Sequence, residues 1–307
     1  MMTIDALEAF VSVARLGSFS RTADSLHRSQ PAISRRVSLL EESLGAPLFE
    51  RVGGGVRLSE PGQALLPHAE RALAAVRDGR AAVSAMLFGD AGRVSLAMVG
   101  TLADSHLVGL LRGFADRNPG VEIGLRTANS REVSDLVRTG EVTLGLRYYH
   151  DPHPDLLSRV VAREPLYLLA APDNPLAGKT LADAEALRGQ TWLAFPATRG
   201  GAESAGPMLH RTLAQAGLAE IEVMEVDSLT AQKRLAEAGF GIAMLPASSV
   251  REELRRGSLL RIYLPGLAAA NPIAVVHRRD GFLSHAAESL LELFESILWE
   301  HETGTAE

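Results

Sequence analysis

The spacing of apolar residues changes near residue 90 of this 307-residue chain, and the change constrains the fold more than any other feature. Before that point, apolar residues recur every three to four positions, which is the period of helices packed on one face. Beyond it, short apolar runs alternate with helical patterns, which is typical of an α/β unit. The chain is long enough for two units that each bury a core, so we expect two differently built parts.

Composition limits the classes of protein that this sequence can represent. Apolar residues make up 46% and charged residues 22%, and no apolar run is long enough to span a bilayer. The first residues lack the pattern of a secretory signal, so we expect a cytoplasmic protein that has no membrane partner. The absence of cysteine excludes disulfides and thiolate sites. The net charge of −6 does not exclude nucleic acid, because one binding face needs only local positive charge.

The first 28 residues predict two short helices joined to a third by a tight turn. The first helix has an apolar stripe of Leu7, Phe10, Val11 and Ala14 and stops at Gly17. Ser18 or Ser20 can cap the second helix, whose inner face is Ala23 and Leu26. His27 and Arg28 then form the turn that leads into the third helix.

The third helix has a buried stripe and an outward face of polar side chains. Ser29 is its expected N-cap, Pro31 fits its first turn, and the stripe consists of Ile33, Val37, Leu40 and Leu44. The outward set is Gln30, Pro31, Ser34, Arg35 and Ser38. A rigid helix with such donors and acceptors fits the major groove of DNA, although an isolated helix of this kind is more often simply solvated.

The segment that follows favours groove binding over a solvated face. Two short segments, 49–52 and 56–59, flank three glycines at 53–55, which predicts a β-hairpin wing. Arg51 and Arg57 on this wing can reach phosphates beside the groove. We expect one positive side, to which these arginines contribute together with Arg28, Arg35 and Arg36.

These residues, in this order and spacing, resemble the LysR-type transcriptional regulators. The resemblance rests on residues 10–14, 17–20, 29–35, 40–41, 44–45, 48–51 and 58–62. It is dense over about the first sixty residues and continues beyond them as a match of layout. The chain departs from the family pattern at Thr22, where an alanine is usual, at Ser59, where a threonine is commoner, and in its glycine-rich wing tip.

The resemblance implies roles for particular residues in binding double-stranded promoter DNA. It implies that Gln30, Pro31, Ser34 and Arg35 contact bases or the adjacent backbone. It also implies that Ser29 and Arg51 help to anchor the fold on phosphates. The DNA-binding winged helix-turn-helix is expected over residues 1–60.

A long helix is predicted to follow, with residues 61–90 as the linker. Its apolar stripe consists of Leu65, Leu66, Ala69, Ala72, Leu73, Val76, Val83 and Leu87, and the glycines at 89 and 92 end it. A helix that leaves a small domain has little local surface on which to bury such a stripe, so we predict a dimerisation helix. The resemblance implies homodimers that associate further into tetramers, with paired recognition helices about 34 Å apart on palindromic half-sites.

Beyond residue 90 the sequence alternates between strands and helices. The predicted strands are 94–99, 121–125, 143–146, 166–170, 191–195, 221–225 and 241–245. The resemblance implies a two-lobe α/β effector-binding domain of periplasmic-binding-protein type over residues 91–307. Lobe one would comprise 91–162 and 267–307, and lobe two 163–266. A small-molecule effector would bind in the cleft between the lobes.

Ligands of open parallel sheets bind beyond the carboxyl ends of the strands, so residues at those ends are the candidates for effector contact. They are Thr101, Asn129, Arg147, Phe195, Thr198, Arg199 and Asp227. Hydroxyls and helix N-termini among them suit an anionic group, and a carboxylate is the candidate class of effector. The plainer alternative is that the polar residues are helix caps and that the arginines are solvated.

No catalytic constellation, cofactor motif or metal site is predicted. No serine has a suitable histidine and carboxylate pattern, and the two histidines at 150 and 153 lie in a proline-rich turn that is more typical of a loop. The chain is therefore predicted to be a non-enzyme. Two other classes stay open: an architectural DNA binder whose C-terminal part only oligomerises, and an enzyme or solute-binding domain fused to a DNA-binding unit.

Overall fold

A computed structural model describes residues 2–53, 55–88, 92–104, 107–196, 205–267 and 269–296. Two of the predicted effector contacts, Thr198 and Arg199, lie outside these residues. Among the described helices, none combines the length and apolar character needed to cross a membrane.

The N-terminal unit is a three-helix domain with a wing, as the sequence predicted. Its elements are α1 (Ile4–Leu16), α2 (Phe19–Ser25), α3 (Gln30–Leu44), β1 (Phe49–Val52) and β2 (Gly55–Leu58). Ser18 caps α2 by accepting a hydrogen bond from the backbone N–H of Arg21. Ser29 occupies the N-cap position of α3, but its side chain makes no capping hydrogen bond. The predicted N-cap position is therefore confirmed, and the Ser29 hydroxyl is left on the exposed end of the helix.

Aromatic and branched side chains hold this unit together. The ring of Phe49 on the wing lies 5.4 Å from that of Phe10 and 5.8 Å from that of Phe19. Ile33, Val37 and Leu40 are fully or almost fully buried beneath α3. Because the wing and all three helices share this core, the outward face of α3 is held in a fixed orientation relative to the hairpin.

One buried polar group in this core lacks a partner, and it gives a stability prediction. Thr22 is fully buried in α2, and no described residue forms a hydrogen bond with its hydroxyl. Thr22→Val keeps the side-chain shape and removes the unpaired hydroxyl, so we expect the free energy of unfolding to rise by about 1 kcal/mol. Calorimetric unfolding of the full chain measures the change.

A matched control uses another buried threonine. The Thr139 hydroxyl donates to the carbonyl oxygen of Asp135 at 2.9 Å, so Thr139→Val should destabilise the protein. Destabilisation by both substitutions would mean that the Thr22 hydroxyl has a partner.

The linker is a single long helix, α4 (Glu60–Phe88), that connects the two parts of the chain. Ser59 precedes it and is buried; its hydroxyl donates to the carbonyl of Pro47 and accepts from the N–H of Gly62. The serine that departs from the family pattern therefore still fixes the start of the helix.

The C-terminal part contains one continuous sheet that is covered by helices in two halves. The first half contains β3 (Gly92–Val99), α5 (Leu107–Arg117), β4 (Val121–Ala128), α6 (Ser130–Arg138) and β5 (Leu144–Tyr148). A short 3-10 turn, Gly100–Asp104, follows β3. β3 pairs in parallel with both β4 and β5, as the predicted β-α-β-α-β run requires.

The chain then crosses to the second half on one strand, β6 (Leu156–Ala170). The second half contains β7 (Thr191–Ala194), α7 (Ala205–Gln215), β8 (Glu222–Glu225), α8 (Leu229–Glu237), β9 (Ile242–Pro246), α9 (Arg251–Arg256) and β10 (Leu260–Ile262). β11 (Ala270–Arg278) and α10 (His285–Ser296) return to the first half. The main path of strands in the sheet is β4-β3-β5-β11-β6-β9-β7-β8, with β10 paired to β6.

The sequence located only the second half of β6. Its first half pairs with β11 and its second half with β9 and β10, so one strand belongs to both halves of the sheet. The predicted lobe boundary at residues 162 and 163 falls inside this strand. The charged residues at 159, 163 and 164 interrupt the apolar run, which is why periodicity indicated a strand only from 166.

Candidate DNA-binding surface and cleft

The outward face of α3 is exposed as predicted. Gln30, Pro31, Arg35 and Ser38 are exposed, and Ser34 is half-buried beside them. The opposite stripe is buried, so these side chains lie on one rigid surface at the N-terminal end of the helix. A convex helix with polar groups at its start is the shape that enters a major groove.

Two neighbouring arginines on α3 have different surroundings. Arg36 forms an ion pair with Asp5 of α1 at 3.0 Å. Arg35 is exposed and has no ion pair among the residues that the structure describes. Arg36 therefore adds no unpaired charge to the predicted positive side, because its guanidinium is already paired with Asp5 within the domain.

The wing separates two other arginines. In the hairpin register, Arg51 lies opposite Val56, while Arg57 lies opposite Glu50. Since side chains alternate between faces along a strand, Arg51 and Arg57 point to opposite faces of the hairpin. The expectation that both share one side is wrong. Arg51 is exposed but lies on the same face of the hairpin as the core residue Phe49. Arg57 lies on the opposite face, with Glu50.

A cavity of about 520 Å³ lies between the two halves of the C-terminal part. Its walls come from the carboxyl ends of β3, β4 and β5 on one side and of β7, β8 and β9 on the other. Four of the predicted residues line it: Thr101, Asn129, Phe195 and Asp227. The structure brings these residues together from both halves. They meet beyond the carboxyl ends of the strands, which is where open α/β sheets bind ligands.

Thr101 lines the cavity in a different way from that expected. It lies inside the 3-10 turn after β3 rather than at the cap of a helix. Its hydroxyl is 2.9 Å from the hydroxyl of Tyr148 at the end of β5. The two strand ends thus present a linked pair of hydroxyls to the cavity, each able to donate or accept.

The start of α6 supplies backbone donors and a cation. Asn129 and Glu132 form a reciprocal capping box, so the Asn129 side chain is occupied in fixing this end of the helix. Ser130 and Arg131 follow, and both line the cavity. Arg131 is exposed and has no ion pair among the described residues, so its guanidinium is available to an anion.

Arg147 does not line the cavity, in contrast to the prediction. Its guanidinium is buried, donates to the Ser134 hydroxyl at 3.1 Å and forms an ion pair with Asp151. Burial works to raise the pKa of Asp151, but hydrogen bonds from Ser134 and His153 and the charge of Arg147 hold that pKa below its ordinary value. The structure thus assigns Arg147 to an internal ion pair.

The second half supplies an aromatic wall and polar groups. Phe195 and Pro196 follow β7, and Asp227 and Ser228 follow β8. Ser228 caps α8 by accepting from the N–H of Ala231, while Asp227 is exposed. The cavity therefore has one apolar side at β7 and β9 and polar side chains at three helix or turn starts.

Several residues that line the cavity were not predicted from the sequence, notably Arg131, Tyr148, Gln232 and Asn271. Tyr148 is the residue after Arg147, so the correct strand end was identified with the wrong side chain. Gln232 is buried one turn into α8 and donates to the Val226 carbonyl at 2.8 Å. Asn271 comes from the returning strand β11, which had no predicted bounds and hence no signal for the residue.

Comparison with protein families matches both parts of the chain. Residues 4–63 match the model described as a bacterial regulatory helix-turn-helix protein of the lysR family. Residues 89–298 match the model described as the LysR substrate binding domain.

Individual relatives are similar over almost the whole chain. The transcriptional regulator CfxR of Cupriavidus necator is 32% identical, over 94% of this chain and 89% of its own length. The crystal structure of CbnR, a LysR family transcriptional regulator, is 27% identical with a TM-score of 0.66, and the match covers 97% of this chain and 99% of that one. Full-length CbnR complexed with its target DNA matches with the same identity and coverages and a TM-score of 0.63.

Proposed function

The chain belongs to the LysR family of bacterial transcriptional regulators, and on that premise we propose that it binds promoter DNA as an oligomer and responds to a small molecule in the cleft. The observation that carries the proposal is the pairing, in one chain, of an exposed polar recognition helix with a cavity of about 520 Å³. The named relatives are regulators rather than enzymes.

For DNA, the outward face of α3 enters the major groove. Gln30, Pro31, Ser34 and Arg35 contact bases or the neighbouring backbone, and Ser29 and Arg51 contact phosphates. The exposed guanidinium of Arg35, which has no ion pair among the described residues, supports a base contact, and the hydroxyl of Ser29, which makes no capping hydrogen bond, can donate to a phosphate. A protein bound to the chromosome of a bacterium works in the cytoplasm, which is where we place this one.

For self-association, the C-terminal part of α4 is the proposed dimer surface. Val83, Met86 and Leu87 are 59%, 88% and 73% exposed on this helix. Large apolar side chains clustered on one helix favour burial against a second copy. A twofold pair would place two α3 helices on half-sites about one DNA turn apart, and two dimers would form the tetramer.

For the effector, a small anionic molecule fits the cavity, with a carboxylate as the class proposed. The start of α6 offers backbone N–H groups and the charge of Arg131, and the hydroxyls of Thr101 and Tyr148 face them across the strand ends. Phe195 supplies an apolar wall for the rest of the molecule. The cavity also favours a sensing domain over the architectural alternative, in which the C-terminal part only oligomerises.

The experiment that tests the function is a footprint on the DNA immediately upstream of the protein's own gene. We expect protection over two half-sites about one helical turn apart. A folded protein that protects neither this region nor any fragment selected from a genomic library would contradict DNA binding.

A substitution in the cavity separates ligand binding from DNA binding. Thr101→Trp fills part of the cavity, so we expect unchanged operator affinity and loss of ligand-induced thermal stabilisation. A panel of small carboxylates is screened by thermal shift, and compounds that stabilise the native protein are compared between variants. Glu122→Trp, on the exposed side of β4 and outside the cavity, is the control. Equal stabilisation of the Thr101→Trp variant would place the ligand elsewhere.

A further inference from the structure

Helix α6 connects the cavity to the linker helix. Its N-terminal residues, Ser130 and Arg131, line the cavity. Its C-terminal residues lie against α4, the helix that carries the DNA-binding unit. A single helix of nine residues therefore touches both places whose states must be linked in a ligand-responsive regulator.

The contact between α6 and α4 is charged and largely buried. Arg138, the last residue of α6, forms an ion pair with Glu70 of α4, and their side chains are only 19% and 6% exposed. Burial disfavours the charged form of Arg138, but hydrogen bonds to Glu70 and Asp135 outweigh it and raise the guanidinium pKa. Arg77 of α4 also donates to the carbonyl oxygen of Thr139 at 2.5 Å. One guanidinium group thus reaches from the end of α6 to α4, and the other reaches from α4 to the residue that follows α6.

Close packing makes this contact stiff. A Cβ atom at Gly140 would lie 3.2 Å from Cα of Ala74 in α4, so a side chain there would push the linker helix away. At the other face of α6, a Cβ atom at Gly145 would lie within 3.0 Å of Val133 and Val137. Because α6 packs closely against both β5 and α4, a shift at its N-terminal end cannot be absorbed by voids around the helix and must also move its C-terminal end.

Further ion pairs join the same region to the linker helix and to the DNA-binding unit. Arg278 of β11 pairs with Asp78 of α4, with Nη1 and Oδ2 2.8 Å apart. Glu141, three residues beyond α6, pairs with Arg15 of α1 at 2.6 Å and with Arg126 at 3.0 Å. Burial would raise the pKa of Glu141, but hydrogen bonds and charge from the two arginines outweigh it and hold that pKa below its ordinary value.

We propose that α6 couples the cavity to the DNA-binding unit and that the Glu70–Arg138 ion pair is its positioning contact with α4. The inference rests on the proposed function and specifies how the cavity regulates it. A ligand that moves the start of α6 changes the fit of Arg138 and Gly140 against α4. By linkage, DNA that fixes the orientation of α4 must in turn change the start of α6.

Reciprocity allows a test that needs no known effector. The chain has no cysteine, so Arg131→Cys offers one site for an environment-sensitive fluorophore at the start of α6. The full-length labelled protein is titrated with the operator fragment defined by the footprint. Binding is followed separately by the anisotropy of labelled DNA. We expect DNA to change the fluorophore signal, and Glu70→Gln to reduce that change about fivefold or more at saturating DNA.

Matched variants distinguish coupling from general damage. Asp135→Asn removes the charge of the second partner of Arg138, which lies at 3.0 Å within α6, but leaves Glu70 in place, so it should retain the signal. Arg138→Met should behave as Glu70→Gln does. A DNA-induced fluorescence change that persists in both Glu70→Gln and Arg138→Met would overturn the coupling. DNA binding without any fluorescence change in the labelled parent protein would overturn it as well. Absence of DNA binding by anisotropy would overturn the proposed function and, with it, this inference.

Discussion

Replacing Arg35 by alanine should reduce affinity for the specific operator about a hundredfold while leaving the fold and the oligomer intact. The side chain is exposed on α3 and has no ion pair among the described residues, so its loss removes no packing. A bidentate arginine–base contact contributes about 1–3 kcal/mol, and a dimer loses it in both half-sites. Gel-shift titrations at fixed salt, with the operator and an unrelated fragment, measure the effect.

Arg36→Ala is the matched control because it removes the same charge from the same helix one residue away. Arg36 is turned towards Asp5 at 3.0 Å, so we expect less than about a tenfold change in operator affinity. Equal loss of operator affinity in both variants would show that the outward face of α3 does not recognise the bases.

The elements that sequence predicted best are those in which burial is one-sided. Along α3, the stripe of Ile33, Val37 and Leu40 defines the inner face, and the outward face follows from helical period alone. The glycines at 53 and 55 likewise located the hairpin, Gly17 located the end of α1, and Ser18, one of the two predicted caps, located the start of α2. In such elements the local pattern and the final environment agree.

The errors occur where burial is two-sided or where contacts join distant segments. β5 is covered on both faces, so alternation does not reveal which of Arg147 and Tyr148 faces the cavity. The acidic partner of Arg36 lies about thirty residues earlier in the chain, at Asp5. The position of α6 between the cavity and α4 likewise depends on tertiary packing that no periodicity encodes.

The second lobe contains a buried ion pair between α8 and α9. Lys233 of α8 lies 3.0 Å from Glu253 of α9, and their side chains are 15% and 7% exposed. The ammonium group also donates to the Ser249 carbonyl at 2.8 Å. The second carboxylate oxygen of Glu253 is buried and has no hydrogen-bond partner among the described residues. Lys233 is therefore the main compensation for this charge inside the lobe.

Lys233→Met should lower the free energy of unfolding of this lobe by about 3–5 kcal/mol, because it leaves a buried carboxylate without its cation. Urea denaturation followed by tryptophan fluorescence, to which the fully buried Trp192 of this lobe contributes, measures the loss. The double variant Lys233→Met with Glu253→Leu should recover most of it, since an apolar pair of similar volume needs no compensation. Arg234→Met, one residue along, removes an exposed arginine that pairs with Glu237, which keeps its hydrogen bond from Ser258, so stability should be almost unchanged. If Lys233→Met and Arg234→Met proved equally mild, water would have to reach Glu253, and the lobe would be less tightly closed around α8 and α9 than its packing indicates.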